Sequence, residues 1–318
     1  MTKKSFKNQK IWITSGRGML GIALTNLFKK KKIKFISSNK DILDLRKKTS
    51  VIKWLKKKKP DIIILNAALV GGIYANNKYP VNFLKDNLEI SLNVLEAAAK
   101  LKIKKLIYIG SSCIYPKFSK QPIKEQYLLT GSLEETNQWY AIAKIAGIKL
   151  CQAYRKQKNL NFISLMPCNM YGPADNYHPK NSHVLAALIR KFVLAKKNKD
   201  TEVEIWGSGR PLREFMHVND FAESIIIALK KYNGFEPLNV GSGEEVSIQK
   251  LSLIIAKLTG FKGKIYYNKK YPDGVARKVL NSKKIKNLGW RPKIKLKNGI
   301  KMTIKNFINE NINNTSHK

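Results

Sequence analysis

The chain lacks any apolar run long enough to cross a bilayer. A membrane-spanning helix needs about 18 or more consecutive apolar residues, and no stretch of the 318 residues approaches that length. Residues 1–10 are polar and lead directly into an apolar segment, without the apolar core of a secretion signal. The sequence therefore predicts no membrane association.

Cysteine is also scarce, with only Cys113, Cys151 and Cys168 in the whole chain. Their spacing matches no metal-binding pattern, so we expect no metal site. An odd number of cysteines, without a signal for export, is typical of reduced thiols. We therefore expect a cytoplasmic location.

Acidic residues are few, with 21 Asp and Glu against 61 Lys and Arg, which gives a formal net charge of +40. A basic chain can bind nucleic acid. However, only eight of the basic residues are Arg, and the lysines are scattered through every segment. Because no nucleic-acid motif accompanies them, we expect no nucleic-acid partner. The charge should still attract an anionic substrate.

Short apolar segments alternate with amphipathic ones in the first half of the chain. Strands are predicted at residues 10–14, 33–37, 61–65, 106–109 and 162–165, and helices from after Gly21 to about Lys31 and at 51–58, 82–101 and 140–155. This alternation predicts an α/β fold with a Rossmann-like, doubly wound parallel sheet. Ligands bind such sheets at the carboxyl ends of the strands.

The alternation breaks after Pro167, which indicates a smaller α/β substrate-binding domain. A helix is expected over residues 181–195, capped by Asn181 or Ser182. The chain should return to the main sheet near residues 238–240. We therefore assign residues 1–170, with returning segments near 214–245, to a dinucleotide domain, and residues 171–213 and 246–318 to a substrate domain.

Three glycines follow the first predicted strand, in the order Gly16-x-Gly18-x-x-Gly21. This spacing between a strand and a helix is the dinucleotide-binding fingerprint. The end of the second strand carries no acid for a ribose hydroxyl, whereas Arg17 and Lys40 could hold a 2′-phosphate. We therefore expect NADP(H) rather than NAD(H), although Lys40 could also be one more solvated lysine.

Tyr140 and Lys144 are four residues apart, so they lie on one face of a helix. A free tyrosine has a pKa of about 10, and an ammonium one turn away is expected to lower it. Ser111, at the end of another strand, could hydrogen-bond the same oxygen. These three residues predict proton transfer at a carbonyl carbon.

Together these motifs resemble the extended short-chain dehydrogenase/reductase family, and within it the epimerase-reductases of GDP-4-keto-6-deoxy-D-mannose. The resemblance covers residues 11–290. Its most specific stretches are residues 70–73, 76–77, 110–117, 140–150, 169–173, 181–184, 206–209, 213–215, 272–274 and 277–278. Three positions depart from the family: Ser15 replaces a Gly, Cys168 a common Thr, and Lys191 a frequent Arg. Lysine cannot form the bidentate hydrogen bonds that arginine makes with a phosphate or carboxylate.

The resemblance implies a role for each matching residue. The implied catalytic residues are Ser111, Cys113, Tyr140, Lys144 and His183. Cys113 is expected as the epimerisation base and His183 as the acid, since thiols and imidazoles titrate near neutral pH. The implied cofactor-binding residues are Ser15, Gly16, Arg17, Gly18, Met19, Leu20, Gly21, Lys40, Ile109, Gly110, Ser112, Lys144, Pro167, Cys168, Asn169, Met170 and His183. The implied substrate-binding residues are Lys191, Trp206, Arg213 and Asp273. A homodimer is also implied, with the helices near 82–101 and 140–155 paired across a two-fold axis.

Other functions remain open on the sequence. A related nucleotide-sugar 4-epimerase would have no need of Cys113 or His183, and a 4,6-dehydratase would carry an Asp-Glu pair in place of Ser112 and Cys113. A catalytically silent binding protein would be expected to lose Tyr140 or Lys144. Cys113 could be a buried apolar residue, His183 could merely cap a helix, and Trp206 could be a core aromatic.

Overall fold

The protein is described by a computed structural model that covers residues 9–179, 181–271 and 273–315. Its strands are β1 Ile11–Ile13, β2 Phe35–Ser37, β3 Ile62–Leu65, β4 Lys105–Ile109, β5 Phe162–Pro167, β6 Asn169–Tyr171, β7 Glu202–Trp206, β8 Leu212–His217, β9 Leu238–Val240, β10 Glu245–Ser247, β11 Lys264–Asn268 and β12 Arg277–Lys278. Its α-helices are α1 Met19–Lys30, α2 Lys48–Lys58, α3 Ile73–Lys78, α4 Pro80–Lys100, α5 Gln138–Lys158, α6 Val184–Asn198, α7 Val218–Lys231, α8 Ile248–Thr259, α9 Lys283–Asn287 and α10 Leu296–Thr315.

A six-stranded sheet in the order β2-β1-β3-β4-β5-β9 forms the centre of the first region, and every pair in it is parallel. β1, β3, β4 and β5 are buried along their whole length. Continuous apolar runs of this kind suit a sheet covered by helices on both faces. The predicted α/β fold and the return of the chain at β9 are confirmed.

A second core lies between α6, α8 and α10, beside strands β7 and β8. β8 pairs with β6, β10 and β12, and β7 pairs with β11. Leu280, Ile285 and Trp290, which the sequence assigned to the substrate domain, instead join the core of the six-stranded sheet. The predicted segment 246–318 is thus divided between the two cores.

The start of α6 differs from the prediction. The helix begins at Val184, and its N-cap is His183 rather than Asn181 or Ser182. The main-chain oxygen of Asn181 accepts a hydrogen bond from Gly72 N (3.1 Å), so this residue is held by another loop. That contact delays the helix and leaves His183 at its N-terminus.

None of the helices in the described part of the chain has the length and apolarity needed to cross a membrane.

Candidate active site

The glycine-rich turn joins β1 to α1 at the carboxyl edge of the six-stranded sheet. Ser15 N donates to Asn66 Oδ1 (3.0 Å), and Gly16 N donates to the main-chain oxygen of Ser38 (2.7 Å). These bonds tie the turn to the ends of β2 and β3. Ser15 is not among the described residues with positive φ, so a serine replaces the family's glycine there without backbone strain.

The turn fits a dinucleotide because its glycines leave no room for side chains. A Cβ on Gly21 would lie 1.8 Å from the main-chain oxygen of Ser15, and a Cβ on Gly16 would lie 2.8 Å from Ser37 Cβ. Gly18 caps α1, whose first turn has neither a side-chain cap nor an acidic residue. Free N–H groups at a helix N-terminus are suited to phosphate.

The two cations expected to hold a 2′-phosphate are exposed as expected, but one of them has an acidic partner. Arg17 and Lys40 are both exposed, but Arg17 Nη1 donates to Asp41 Oδ2 (2.6 Å). Although the end of β2 carries no acid, Asp41 beyond it reaches Arg17. Both partners of this ion pair are 74% exposed, and exposed pairs contribute at most about 1 kcal/mol. A phosphate could displace Asp41 at little cost.

Ser111 and Cys113 belong to one tight turn after β4. Ser111 is the N-cap of a 3₁₀ turn at Ser112–Ile114, and its Oγ accepts a hydrogen bond from Cys113 N (3.2 Å). Cys113 is half-buried and unpaired, and its Sγ lies 3.8 Å from Asn137 Nδ2. This thiol is not the buried apolar residue that the alternative interpretation required.

Tyr140 and Lys144 lie in the first half of α5, as the spacing predicts. Lys144 is buried, and its Nζ donates to the main-chain oxygen of Ile109 (2.9 Å) at the end of β4. The same Nζ lies 5.7 Å from the centre of the Tyr140 ring and 5.0 Å from that of Tyr108. The lysine therefore connects the tyrosine helix to the strand that carries Ser111.

The pKa values of this pair differ from the prediction. Burial raises the pKa of Tyr140, Cys113 and Tyr108 raise it further, and the hydrogen bond with Ser111 opposes them. Burial also lowers the pKa of Lys144 to about 7. The expected lowering of the Tyr140 pKa by Lys144 is not seen in this state, because desolvation of the phenol has the largest effect on it. Tyr140 thus carries its proton at neutral pH.

His183 lies outside this cluster. Its side chain is open to solvent at the N-terminus of α6, although surrounding protein atoms lower the pKa of its imidazole. Within the described residues, the structure shows no hydrogen bond from His183 to the other four predicted catalytic residues. The adjoining Asn181–Ser182 segment packs on Gly72, which precedes α3, and α3 packs on the turn that carries Asn137. The segment before His183 therefore lies beside the loop that precedes α3.

The other predicted cofactor residues lie at the ends of β4, β5 and β6. Gly110 N donates to the main-chain oxygen of Leu165 (2.8 Å), and a Cβ at Gly110 would lie 2.4 Å from Met166 Sδ. Cys168 is buried, which raises the pKa of its thiol well above the usual range. Asn169 Nδ2 donates to the main-chain oxygen of Glu214 (2.9 Å). The remaining members are Ile109, Ser112, Pro167 and Met170, all in or beside these strands.

Two of the predicted substrate-binding residues, Lys191 and Trp206, lie close together beside the second core. Lys191 Nζ donates to the main-chain oxygen of Glu204 (2.7 Å) and lies 5.1 Å from the centre of the Trp206 ring. Trp206 is 44% exposed and stacks on Tyr271, with ring centroids 4.4 Å apart and an angle of 14° between the planes. Trp206 is therefore a surface aromatic, not part of the core.

Arg213 lies near both Cys113 and Asp273. Burial lowers the pKa of Arg213, while attraction to Cys113 and Asp273 raises it. The Asp273 carboxylate accepts hydrogen bonds from Ser208 N (2.8 Å) and Ser208 Oγ (2.6 Å). Pro272, which precedes Asp273 in the matching motif, lies outside the described residues.

Sequence reasoning missed three residues at this site. Asn137 and Lys278 both contact Cys113 Sγ, at 3.8 and 3.9 Å. Tyr271 covers one side of Trp206. Lys278 belongs to a stretch that carried the family resemblance, which was the available signal. Among the described residues, no group of three or more His, Cys, Asp or Glu side chains could hold a metal.

A parallel sheet with a glycine-rich turn after β1, and a Ser–Tyr–Lys cluster at the same edge, is the arrangement of an extended short-chain dehydrogenase/reductase. Residues 11–241 match the NAD dependent epimerase/dehydratase family. GDP-L-fucose synthase 1 of Arabidopsis thaliana is 47% identical over 304 residues, 95% of this chain and 94% of the relative. GDP-L-fucose synthase of Escherichia coli is 41% identical over 310 residues, 94% and 97% of the two chains.

A solved structure extends the comparison to a cofactor complex. A GDP-L-fucose synthetase from Naegleria fowleri bound to NADP superimposes with a TM-score of 0.87 at 27% identity, covering 96% of each chain. The chain therefore belongs to the NAD dependent epimerase/dehydratase family, in the group of the GDP-L-fucose synthases.

Proposed function

We propose that this chain converts GDP-4-keto-6-deoxy-D-mannose to GDP-L-fucose with NADP(H), by epimerisation at C3 and C5 followed by reduction at C4. The observation that carries the proposal is the turn shared by Ser111 and Cys113. It places a half-buried thiol two residues from the serine of the reductase cluster and beside the helix of Tyr140. A simple reductase has no use for that thiol.

The cofactor, when bound, supplies the hydride for C4. The turn at residues 15–21 and the N-terminus of α1 would hold its pyrophosphate. Arg17 and Lys40 would hold the 2′-phosphate, with Arg17 released from Asp41. Lys144 would hold the nicotinamide ribose from the end of β4.

Epimerisation requires acidic hydrogens on both carbons beside the ketone. Ser111 and Tyr140 can donate hydrogen bonds to the C4 oxygen, which stabilises the enolate formed at C3 or C5. Cys113 removes the proton, so that an S–H bond forms as the C–H bond breaks. His183 returns a proton on the opposite face, which inverts the centre.

Reduction at C4 needs a group that begins with a proton and gives it up. Burial raises the pKa of Tyr140, so its hydroxyl is protonated at neutral pH. It can therefore donate to the developing C4 alkoxide. Arg213, near Cys113, and Lys191, beside Trp206, are cationic and therefore suited to the two phosphates of GDP.

One assay tests the proposal. The protein is mixed with GDP-4-keto-6-deoxy-D-mannose and NADPH, oxidation of the cofactor is followed by absorbance, and the sugar is identified. We expect GDP-L-fucose. Oxidation with a product that keeps the manno configuration at C3 and C5 would instead identify a reductase for another nucleotide sugar.

The role of the thiol is tested separately in deuterated water. Cys113→Ser should reduce deuterium incorporation at C3 and C5 by about 100-fold, within the usual contribution of a general base. Cys151→Ala, which removes a buried thiol on α5, is the control and should exchange at the normal rate. Normal exchange in Cys113→Ser would exclude Cys113 as the base.

We also propose a homodimer, paired through α4 and α5. These helices pack together, yet Leu92, Trp139 and Ile142 remain 51%, 36% and 39% exposed on them. A second copy would bury these apolar side chains. Leu92→Asp should shift the sedimentation of the protein from dimer to monomer; an unchanged sedimentation coefficient would place the contact elsewhere.

A cytoplasmic location is proposed on the three cysteines, all of which are unpaired thiols. Unpaired thiols are typical of a reducing compartment. Fractionation of cells that express the full chain would test this proposal, and recovery outside the cytoplasm would contradict it.

A further inference from the structure

A lysine from the far end of the chain lies against the thiol of Cys113. Lys278 is the last residue of β12, which pairs with β8 in parallel, so that Lys278 stands opposite Arg213. Its Nζ is 3.9 Å from Cys113 Sγ, across 165 residues of sequence. The half-buried ammonium is thus positioned by the second sheet, not by the turn that carries the thiol.

The partners of Lys278 distinguish it from its neighbour. Arg277 is exposed and held by Glu245 through two hydrogen bonds of 2.8 and 2.7 Å. In the described part of the chain, no carboxylate forms an ion pair with Lys278. Its charge is therefore not neutralised by an acid and remains directed at the sulfur.

Every element packed around Cys113 contributes to its charge environment. The 3₁₀ turn contributes Ser111, whose Oγ accepts from Cys113 N. The segment before α5 contributes the Asn137 amide, and α5 itself contributes Tyr140. β8 contributes Arg213, which is attracted to Cys113 and also to Glu134 and Asp273. Within the described residues, two cations therefore face the sulfur, and of these two Lys278 is the one that contacts it.

We propose that Lys278 is a positioning residue that stabilises the thiolate of Cys113, so that the thiol is ready to remove the sugar proton. The inference rests on the proposed function. A neighbouring ammonium favours the thiolate, which is the reactive form of cysteine. In the reaction the sulfur gains a proton, and the electron pair of the C–H bond passes to the enolate.

Alkylation of the thiol tests the inference without any substrate. The rate of Cys113 modification by iodoacetamide is followed by mass spectrometry between pH 6 and 9. Lys278→Met should lower the rate at pH 7 about tenfold and move the profile to higher pH. Lys278→Arg should restore most of the rate. Lys120→Met, which removes an exposed lysine after the same turn, should match wild type.

Two outcomes would overturn the inference. Equal alkylation profiles for Lys278→Met and wild type, with a raised KM for the nucleotide sugar, would make Lys278 a phosphate ligand. Equal slowing in Lys278→Met and Lys278→Arg would mean that side-chain shape, not charge, protects the thiol. Circular dichroism checks that each variant is folded, and the neutral variant Lys278→Gln replaces Lys278→Met if that variant is not.

The same experiment separates this inference from the proposed function. If wild type turns over no GDP-4-keto-6-deoxy-D-mannose but the alkylation profiles differ as expected, the substrate is wrong and the cation–thiolate pair stands. If turnover is normal but the profiles coincide, the pair is wrong and the enzyme assignment stands.

Discussion

Replacing Lys144 with Met should make the protein more stable at neutral pH while removing its activity. Lys144 is 3% exposed, and burial lowers its pKa from the ordinary 10.5 to about 7. A difference of about 3.5 units corresponds to roughly 5 kcal/mol of unfavourable free energy for holding the protonated lysine in the folded state. Met fills similar space without charge. It leaves the main-chain oxygen of Ile109 without its donor, which costs about 2 kcal/mol.

Whether Lys144→Met is more or less stable than wild type depends on pH. Because the folded-state pKa is the lower one, the unfolded chain binds the proton more tightly between pH 7 and 10.5. The stability of wild type therefore rises with pH across that window, by about 1.4 kcal/mol per unit from this group. Below pH 7 the penalty is complete, and above 10.5 it is gone. Lys144→Met should be more stable than wild type by about 3 kcal/mol at pH 6.5, equal near pH 9, and less stable above it.

Urea unfolding at pH 6.5, 8 and 9.5, followed by tryptophan fluorescence, measures the difference. Lys149→Met is the matched control, because Lys149 is an exposed lysine on the same helix and should change stability by less than about 0.5 kcal/mol. Lys144→Met should also lose hydride transfer. A variant less stable than wild type at pH 6.5, or a difference that does not change with pH, would refute the reasoning.

Three further predictions concern the fold and the cofactor. Lys105→Met should destabilise the protein by about 3 kcal/mol in thermal unfolding, because its buried ammonium lies within hydrogen-bond distance of four oxygens near the end of α7, and losing these contacts outweighs relief of the burial that lowers the pKa of Lys105 to about 8; a stabilised variant would contradict this. Gly21→Ala should weaken NADPH binding at least tenfold in a fluorescence titration, because its Cβ would lie 1.8 Å from the main-chain oxygen of Ser15; unchanged binding would mean that the turn can move freely. Asp41→Asn should tighten NADPH binding roughly two- to fivefold by releasing Arg17, without changing NADH binding; equal effects on both cofactors would contradict the 2′-phosphate assignment.

The fold could be predicted from the sequence because the sequence patterns that indicate it are local. Buried runs such as residues 62–65 and the glycine turn at 16–21 depend only on neighbours along the chain. The helix that carries Tyr140 and Lys144 is equally local. The packing of residues 280–290 on the central sheet could not be predicted, because it depends on how the last loops fold back.

The sequence by itself determined which residues share a turn: Tyr140 with Lys144, and Ser111 with Cys113. Helical periodicity and turn geometry place such residues together whatever surrounds them. Only the tertiary structure decided their electrostatics. It surrounded the half-buried Tyr140 with protein atoms, so that the pKa of its hydroxyl rises instead of falling, and brought Lys278 to the thiol from 165 residues away. Desolvation and long-range contacts depend on the closure of the whole chain, and no local pattern encodes them.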